Sequence, residues 1–203
     1  YAECKVRVEE DIAKLADDNF EPVFLRNATA YGASPRMRFD IVLNNLSGIA
    51  WVSKVIAMTS DGTPWRPLVH VNDICGAIRQ CLEAPRESIF NEVFNVGSTS
   101  ENYRIHEIAS IVGEVFPGCE VSIGKKGGDN RSYRVAFDKI HDHLPGFRCN
   151  WSAEQGAQQL RKVFERIELT ESMFESPPFT RLKQLRLLMD SGQLDQDLYW
   201  LGF

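Results

Sequence analysis

The strongest constraint on the fold is an alternation that runs from residue 1 to about residue 150. Short apolar runs (Pro22-Val-Phe-Leu25, Leu68-Val-His-Val71, residues 92–96 and 120–123) alternate with longer stretches whose apolar residues recur at helical spacing. The runs are too short for helices and read as strands. Residues 1–18, 41–57, 74–84, 103–116 and 138–143 read as helices, the second broken near Gly48. Strands that alternate with helices imply βαβ units around a parallel or mixed sheet, so the class is α/β. Residues 26–40 hold Gly32 and Pro35 and read as a loop. Ser60-Asp-Gly-Thr-Pro64 is turn chemistry, and residues 124–130 form a polar, glycine-rich loop. From Trp151 onward the pattern is helical, with breaks at Pro177-Pro178 and Ser191-Gly192.

Composition removes several function classes. The chain has 203 residues and a net charge of −5, which makes no electrostatic case for nucleic acid or an anionic membrane as partner. Its longest apolar run falls far short of the ~20 residues of a spanning helix. The five cysteines are odd in number and form no C-x-x-C pair, so reduced thiols in a cytoplasmic protein are the expectation. His106, His141 and His143 have no partner at ligand spacing, so no metal is expected, and no serine stands in a G-x-S-x-G context. The chain opens without methionine on a helix already under way, and reads as cut from something longer.

Some residues carry chemistry by type and spacing. Tyr1 and Lys5 are four apart, which puts both on one helix face. An ammonium beside a phenol favours the phenolate, and such a tyrosine can exchange a proton with a sugar or alcohol hydroxyl. Arg66, between Trp65 and Pro67, can fork onto phosphate oxygens, as can Arg131. Asp129 can accept from ribose hydroxyls. Asn44 and Asn45 are poor interior helix residues and suit a cap or a ligand. His70, alone in a strand, reads as a satisfied core residue, and Asn72 or Asp73 reads as the N-cap of the next helix.

Six motifs taken in order are more specific than any one. They are Tyr1-x-x-x-Lys5, Leu25-Arg-Asn-Ala-Thr-Ala-Tyr-Gly32, Val42-Leu-Asn-Asn-Leu46, Gly62-Thr-Pro-Trp-Arg-Pro-Leu-Val-His-Val-Asn-Asp73, Phe94-Asn-Val-Gly97 and Asp129-Asn-Arg-Ser-Tyr133. Together they resemble the C-terminal half of the extended short-chain dehydrogenase/reductase family, the nucleotide-sugar epimerases and dehydratases. The resemblance implies the last elements of a Rossmann-type doubly wound sheet plus a smaller substrate-binding lobe over residues 1–150. A helical tail follows over 151–203.

It also implies NAD or NADP as cofactor, a nucleotide sugar as substrate and a homodimer as the assembly. Tyr1 would be the general acid/base, with Lys5 lowering its proton affinity and holding the nicotinamide ribose. Asn27 and Ala28 would face the nicotinamide. Thr29, Asn44, Asn45, Leu46, Arg66, Asp129 and Arg131 would hold the substrate. The family often has Asn where Thr29 stands, which would remove an amide contact. The family's glycine-rich dinucleotide loop and the Ser/Thr that assists the tyrosine have no counterpart in these 203 residues, so the dinucleotide-binding half is expected outside this sequence. The rival reading is a non-catalytic or truncated protein of this fold that binds a nucleotide sugar without turnover.

Overall fold

The computed structural model of the protein describes residues 1–125 and 131–202. In chain order the elements are α1 (Ala2–Ala13), β1 (Phe24–Asn27), β2 (Thr29–Tyr31), α2 (Val42–Val52), β3 (Val55–Ala57), β4 (Trp65–His70), α3 (Val71–Glu83), α4 (Arg86–Ile89), β5 (Val93–Val96), β6 (Asn102–Arg104), α5 (Ile105–Val115), β7 (Glu120–Ser122), α6 (Asp138–His143), α7 (Ala153–Arg166), α8 (Glu171–Phe174) and α9 (Arg181–Asp190). The mixed α/β class is as the alternation required. The chain divides into two compact units, each built from several segments.

The first unit comprises Tyr1–Ala30, Pro64–Arg104 and Asn130–Ala153. Here β1 and β5 pair in parallel, from Phe24 opposite Val93 to Asn27 opposite Val96. A parallel pair needs a crossover, and the intervening chain in this unit includes α3. Val69, Ala77, Cys81, Phe94, Val96, Ile140 and Phe147 form one buried core beneath the pair. A second sheet has the strand order β2-β4-β6. Its β4 and β6 are antiparallel, with Trp65 opposite Arg104 and Arg66 opposite Tyr103. The stretch 26–40, expected as a loop, thus contains β2, and the helix expected from 103 starts later because 102–104 pairs with β4.

His70 is buried, as its lone position in a strand suggested, but it also caps α3. Its Nδ1 accepts from the Asn72 backbone N–H at 3.1 Å, and its ring stacks on Trp151 at 4.0 Å. Neither Asn72 nor Asp73 is therefore the N-cap. Asp73 is the third residue of the helix, and its carboxylate accepts from the backbone N–H groups of Asn150 (3.0 Å) and Trp151 (3.3 Å).

The second unit comprises Tyr31–Thr63, Ile105–Asp129 and Glu154–Phe203. Its parallel pair is β3 with β7, Val55 opposite Glu120 and Ala57 opposite Ser122. The helix expected over 41–57 ends at Val52, and Lys54, at φ 61°, turns the chain into β3. No break occurs at Gly48. A Cβ there would sit 2.2 Å from the Phe174 ring, so the missing side chain admits α8 rather than bending α2. Phe39 centres the aromatic packing, with the rings of Phe174, Phe179 and Phe164 at 4.7, 5.2 and 5.8 Å.

Gly156 in α7 allows an equally close approach, since a Cβ there would meet the buried Tyr31 ring at 2.2 Å. Alanine would add helix propensity worth about 1 kcal/mol. The Tyr31 ring is buried, and overpacking of this kind costs about 1–3 kcal/mol. Gly156→Ala is expected to lower stability on balance, read as a reduced urea midpoint at unchanged m-value. A raised midpoint would show that the ring relaxes freely.

Candidate functional site

Two groups of the expected site residues lie in the first unit. The first surrounds the carboxyl end of β1. Asn27 closes the parallel ladder opposite Val96, and the Ala28 N–H donates to the Val96 carbonyl at 3.0 Å. Open α/β sheets take their ligands at this end of the strands, and Asn27, Ala28 and Thr29 follow one another there. Tyr1 is the N-cap residue of α1 and is 93% exposed. The Lys5 Nζ lies 5.6 Å from the centre of the Tyr1 ring, as the spacing required. Glu9, about two turns farther along α1, pins the helix to β1. Both its carboxylate oxygens accept from Arg26 Nε at 3.0 Å, and Arg26 Nη2 adds a further bond. The Arg26 hydrogen bonds hold the Glu9 carboxyl below its ordinary range. This anchor has a signal in the sequence only as two charges among many.

The second group lies beside the β4–β6 ladder, where the Arg66 side chain meets the Arg131 backbone. Arg66 Nη1 donates to the Trp65 carbonyl at 2.8 Å and to the Arg131 carbonyl. Its guanidinium also lies over the Tyr133 ring, at 5.5 Å. Residues 131–137 run as a strap along this ladder. Trp65 N–H donates to Ser132 Oγ at 3.1 Å, and Asn102 both donates to the Val135 carbonyl and accepts from its N–H, each at 3.0 Å. Phe137 N–H donates to Thr99 Oγ1 at 3.2 Å. Arg134 and Arg104 both lie over the Trp65 ring, at 4.7 and 5.1 Å. Reasoning from sequence quoted Ser132 and Tyr133 within a motif but gave neither them nor Asn102 a role in fastening the strap. Asp129 lies outside the described residues.

The remaining candidates lie in the second unit, on the first turns of α2. Asn44 is buried, with Oδ1 accepting from the Gly32 N–H at 2.9 Å and Nδ2 donating to the Arg38 carbonyl at 3.0 Å. Asn45 Nδ2 donates to the Phe39 carbonyl at 2.8 Å, and Leu46 is buried beside it in sequence. The two amides thus hold the loop 32–39 in place, a structural use of residues that are poor helix formers.

Residues 1–97 match the NAD dependent epimerase/dehydratase family. That match bears out the resemblance drawn from the motifs. Among solved structures the chain is similar to the UDP-glucose 4-epimerase of Thermotoga maritima in its complex with UDP-glucose. The TM-score is 0.71 at 21% identity over 83% of this chain and 54% of that one. It is similar to RMD of Pseudomonas aeruginosa complexed with NADPH, with a TM-score of 0.68 at 15% identity over 82% and 56%. It is also similar to TunA, an NAD dependent NDP-hexosamine 5,6-dehydratase of tunicamycin biosynthesis, with a TM-score of 0.67 at 18% identity over 82% and 54%. At these identities the likeness is one of fold. The chain spans about half the length of the solved structures it matches. Among the described residues no helix is long and apolar enough to cross a membrane.

Close to the strap, Glu101 is half-buried. Its Oε2 accepts from Tyr103 OH and from the Ala153 N–H, both at 3.0 Å, and so caps the start of α7. Burial nonetheless raises its carboxyl above the ordinary value of 4.5, and Asp73, itself raised by burial, adds to the effect. The native state therefore holds the Glu101 proton more tightly than the unfolded state. Its contribution to stability is complete below pH 4.5 and is lost as pH rises through the folded value. Glu101→Gln is expected to flatten that part of the profile. Urea midpoints compared for wild type and variant at pH 4 and pH 8 check this, and parallel slopes would refute it.

Proposed function

We propose that this chain is the substrate-binding and Tyr-Lys half of an NAD(P)-dependent epimerase or dehydratase of nucleotide-activated sugars. The observation that carries the reading is that the Arg66 side chain, on β4, reaches the backbone carbonyl of Arg131, 65 residues away in sequence, in a chain whose net charge is −5. Two arginines brought together in this way can offer guanidinium groups to a diphosphate, which takes forked hydrogen bonds from arginine. The family match and the UDP-glucose complex among the similar structures support the same substrate class.

Under this reading residues 1–150 carry the chemistry and 151–203 form a helical tail. Tyr1 accepts the proton of the sugar hydroxyl at C4 as that carbon is oxidised, and donates it back on reduction. Lys5 stabilises the phenolate and holds the nicotinamide ribose, while Asn27 and Ala28 border the ring. When bound, the dinucleotide accepts and returns the hydride, and the residues that cradle its phosphates lie outside this sequence. Asn45 and Leu46 line the nucleotide, Thr29 the sugar, Asp129 a ribose hydroxyl. The whole protein would be a cytoplasmic homodimer.

The 203-residue chain is expected to bind at least one of a panel of UDP-, dTDP-, GDP- and ADP-sugars in calorimetric titration. Arg66→Met and Arg131→Met should each weaken that binding by about 10–100-fold, the worth of a charge-assisted hydrogen bond of roughly 1.5–3 kcal/mol. Binding unaffected by both changes would remove the diphosphate role. In the polypeptide that includes the dinucleotide-binding half, Tyr1→Phe should abolish turnover and leave nucleotide-sugar affinity within about twofold. Turnover retained by that variant would rule out proton transfer by Tyr1.

A further inference from the structure

The second unit contains a cavity of about 570 Å³ that none of the residues assigned to the nucleotide sugar lines. We propose that this cavity, walled by Met37, Phe179, Leu188 and Trp200, binds a small aromatic anion whose acidic group pairs with Arg36. The volume is that of a small-molecule site, too small for a folded partner. Its walls combine two aromatic rings with aliphatic side chains and prolines, which suits a planar aromatic body. Arg36 is the one charged side chain among the lining residues, and its sign selects an anion.

Gln184 adds a polar requirement. It lines the cavity, and its Oε1 is buried without a hydrogen-bond partner. The terminal amide torsion of glutamine is soft. A turn about it presents the oxygen to the cavity, where an N–H or O–H on the occupant satisfies it. An orphaned acceptor beside an apolar cavity calls for a ligand that carries a donor as well as an acid.

The wall is fixed in place by its own hydrogen bonds. Trp200 stands on a tight turn in which Asp195 N–H donates to the Tyr199 carbonyl at 3.0 Å and Leu201 N–H to the Gln193 carbonyl at 2.9 Å. The Asp195 side chain accepts from the N–H groups of Asp197 and Tyr199, both at 2.9 Å. Leu198 is held at φ 67°, a left-handed conformation that a leucine rarely adopts. On the opposite wall, the Phe39 N–H donates to the Phe179 carbonyl at 2.9 Å.

The probes are indole-3-acetate, which offers a planar ring, an N–H and a carboxylate, and neutral indole-3-ethanol. Calorimetric titration of the full 203-residue chain should give saturable one-to-one binding of indole-3-acetate. Arg36→Met should weaken indole-3-acetate by about tenfold or more and leave indole-3-ethanol within about twofold. Leu188→Trp, which fills the cavity, should abolish both. Gln184→Leu is a second variant that removes an unpartnered acceptor, so it should fold at least as well as the parent and still weaken both indoles about fivefold. Absence of saturable binding by the parent overturns the proposal. Binding that Arg36→Met and Gln184→Leu leave within twofold overturns it too, and assigns the probes to exposed apolar surface instead.

Discussion

The antiparallel ladder of β4 and β6 is the interaction on which the candidate site depends. Its register sets Arg66 opposite Tyr103 and Trp65 opposite Arg104. The strap 131–137 then extends the ladder through the Ser132 hydroxyl and both ends of the Asn102 amide. Because strand side chains alternate, that register decides which face Arg66 takes. A slip of one residue would turn Arg66 away from the Arg131 carbonyl and bring Trp65 to that side.

Polar side chains rather than regular structure fasten the remaining segments. Asp73 and Glu101 accept backbone N–H groups from Asn150, Trp151 and Ala153, so two carboxylates define where the chain enters α7. Asn44 and Asn45 do the same for the loop 32–39. Burying an acid is costly, and Asp73, Glu101 and the neighbouring Cys149 thiol, pushed up to about 12, all show it. The backbone hydrogen bonds offset that cost, because an irregular segment has no ladder of its own to satisfy these N–H groups.

Much of the fold was legible because it rests on local periodicity. The helix at 138–143 follows directly from its spacing, while the strands expected at 22–25, 68–71 and 92–96 stand at 24–27, 65–70 and 93–96, shifted by their partners. What was missed has a common cause. β2, β3 and β6 are three residues each, too short to show a period, and they exist only because β4 and β7 offer partners. Gly48 looked like a helix breaker, since local propensity cannot register that Phe174 needs its space. His70 displaced Asp73 as N-cap because the acid had a use 77 residues away in sequence.

Residue type and spacing by themselves determined the α/β class, the family pattern over residues 1–97 and the pairing of Tyr1 with Lys5 on one helix face. These are properties of neighbours along the chain, fixed by helical and strand periods. Only the tertiary structure decided that the Arg66 side chain meets the Arg131 carbonyl, that the Asn44 and Asn45 amides are engaged by a loop, and that Arg36, Gln184 and Trp200 wall one cavity. Those groups are distant in sequence, and they meet only through backbone hydrogen bonds and packing that no local pattern encodes.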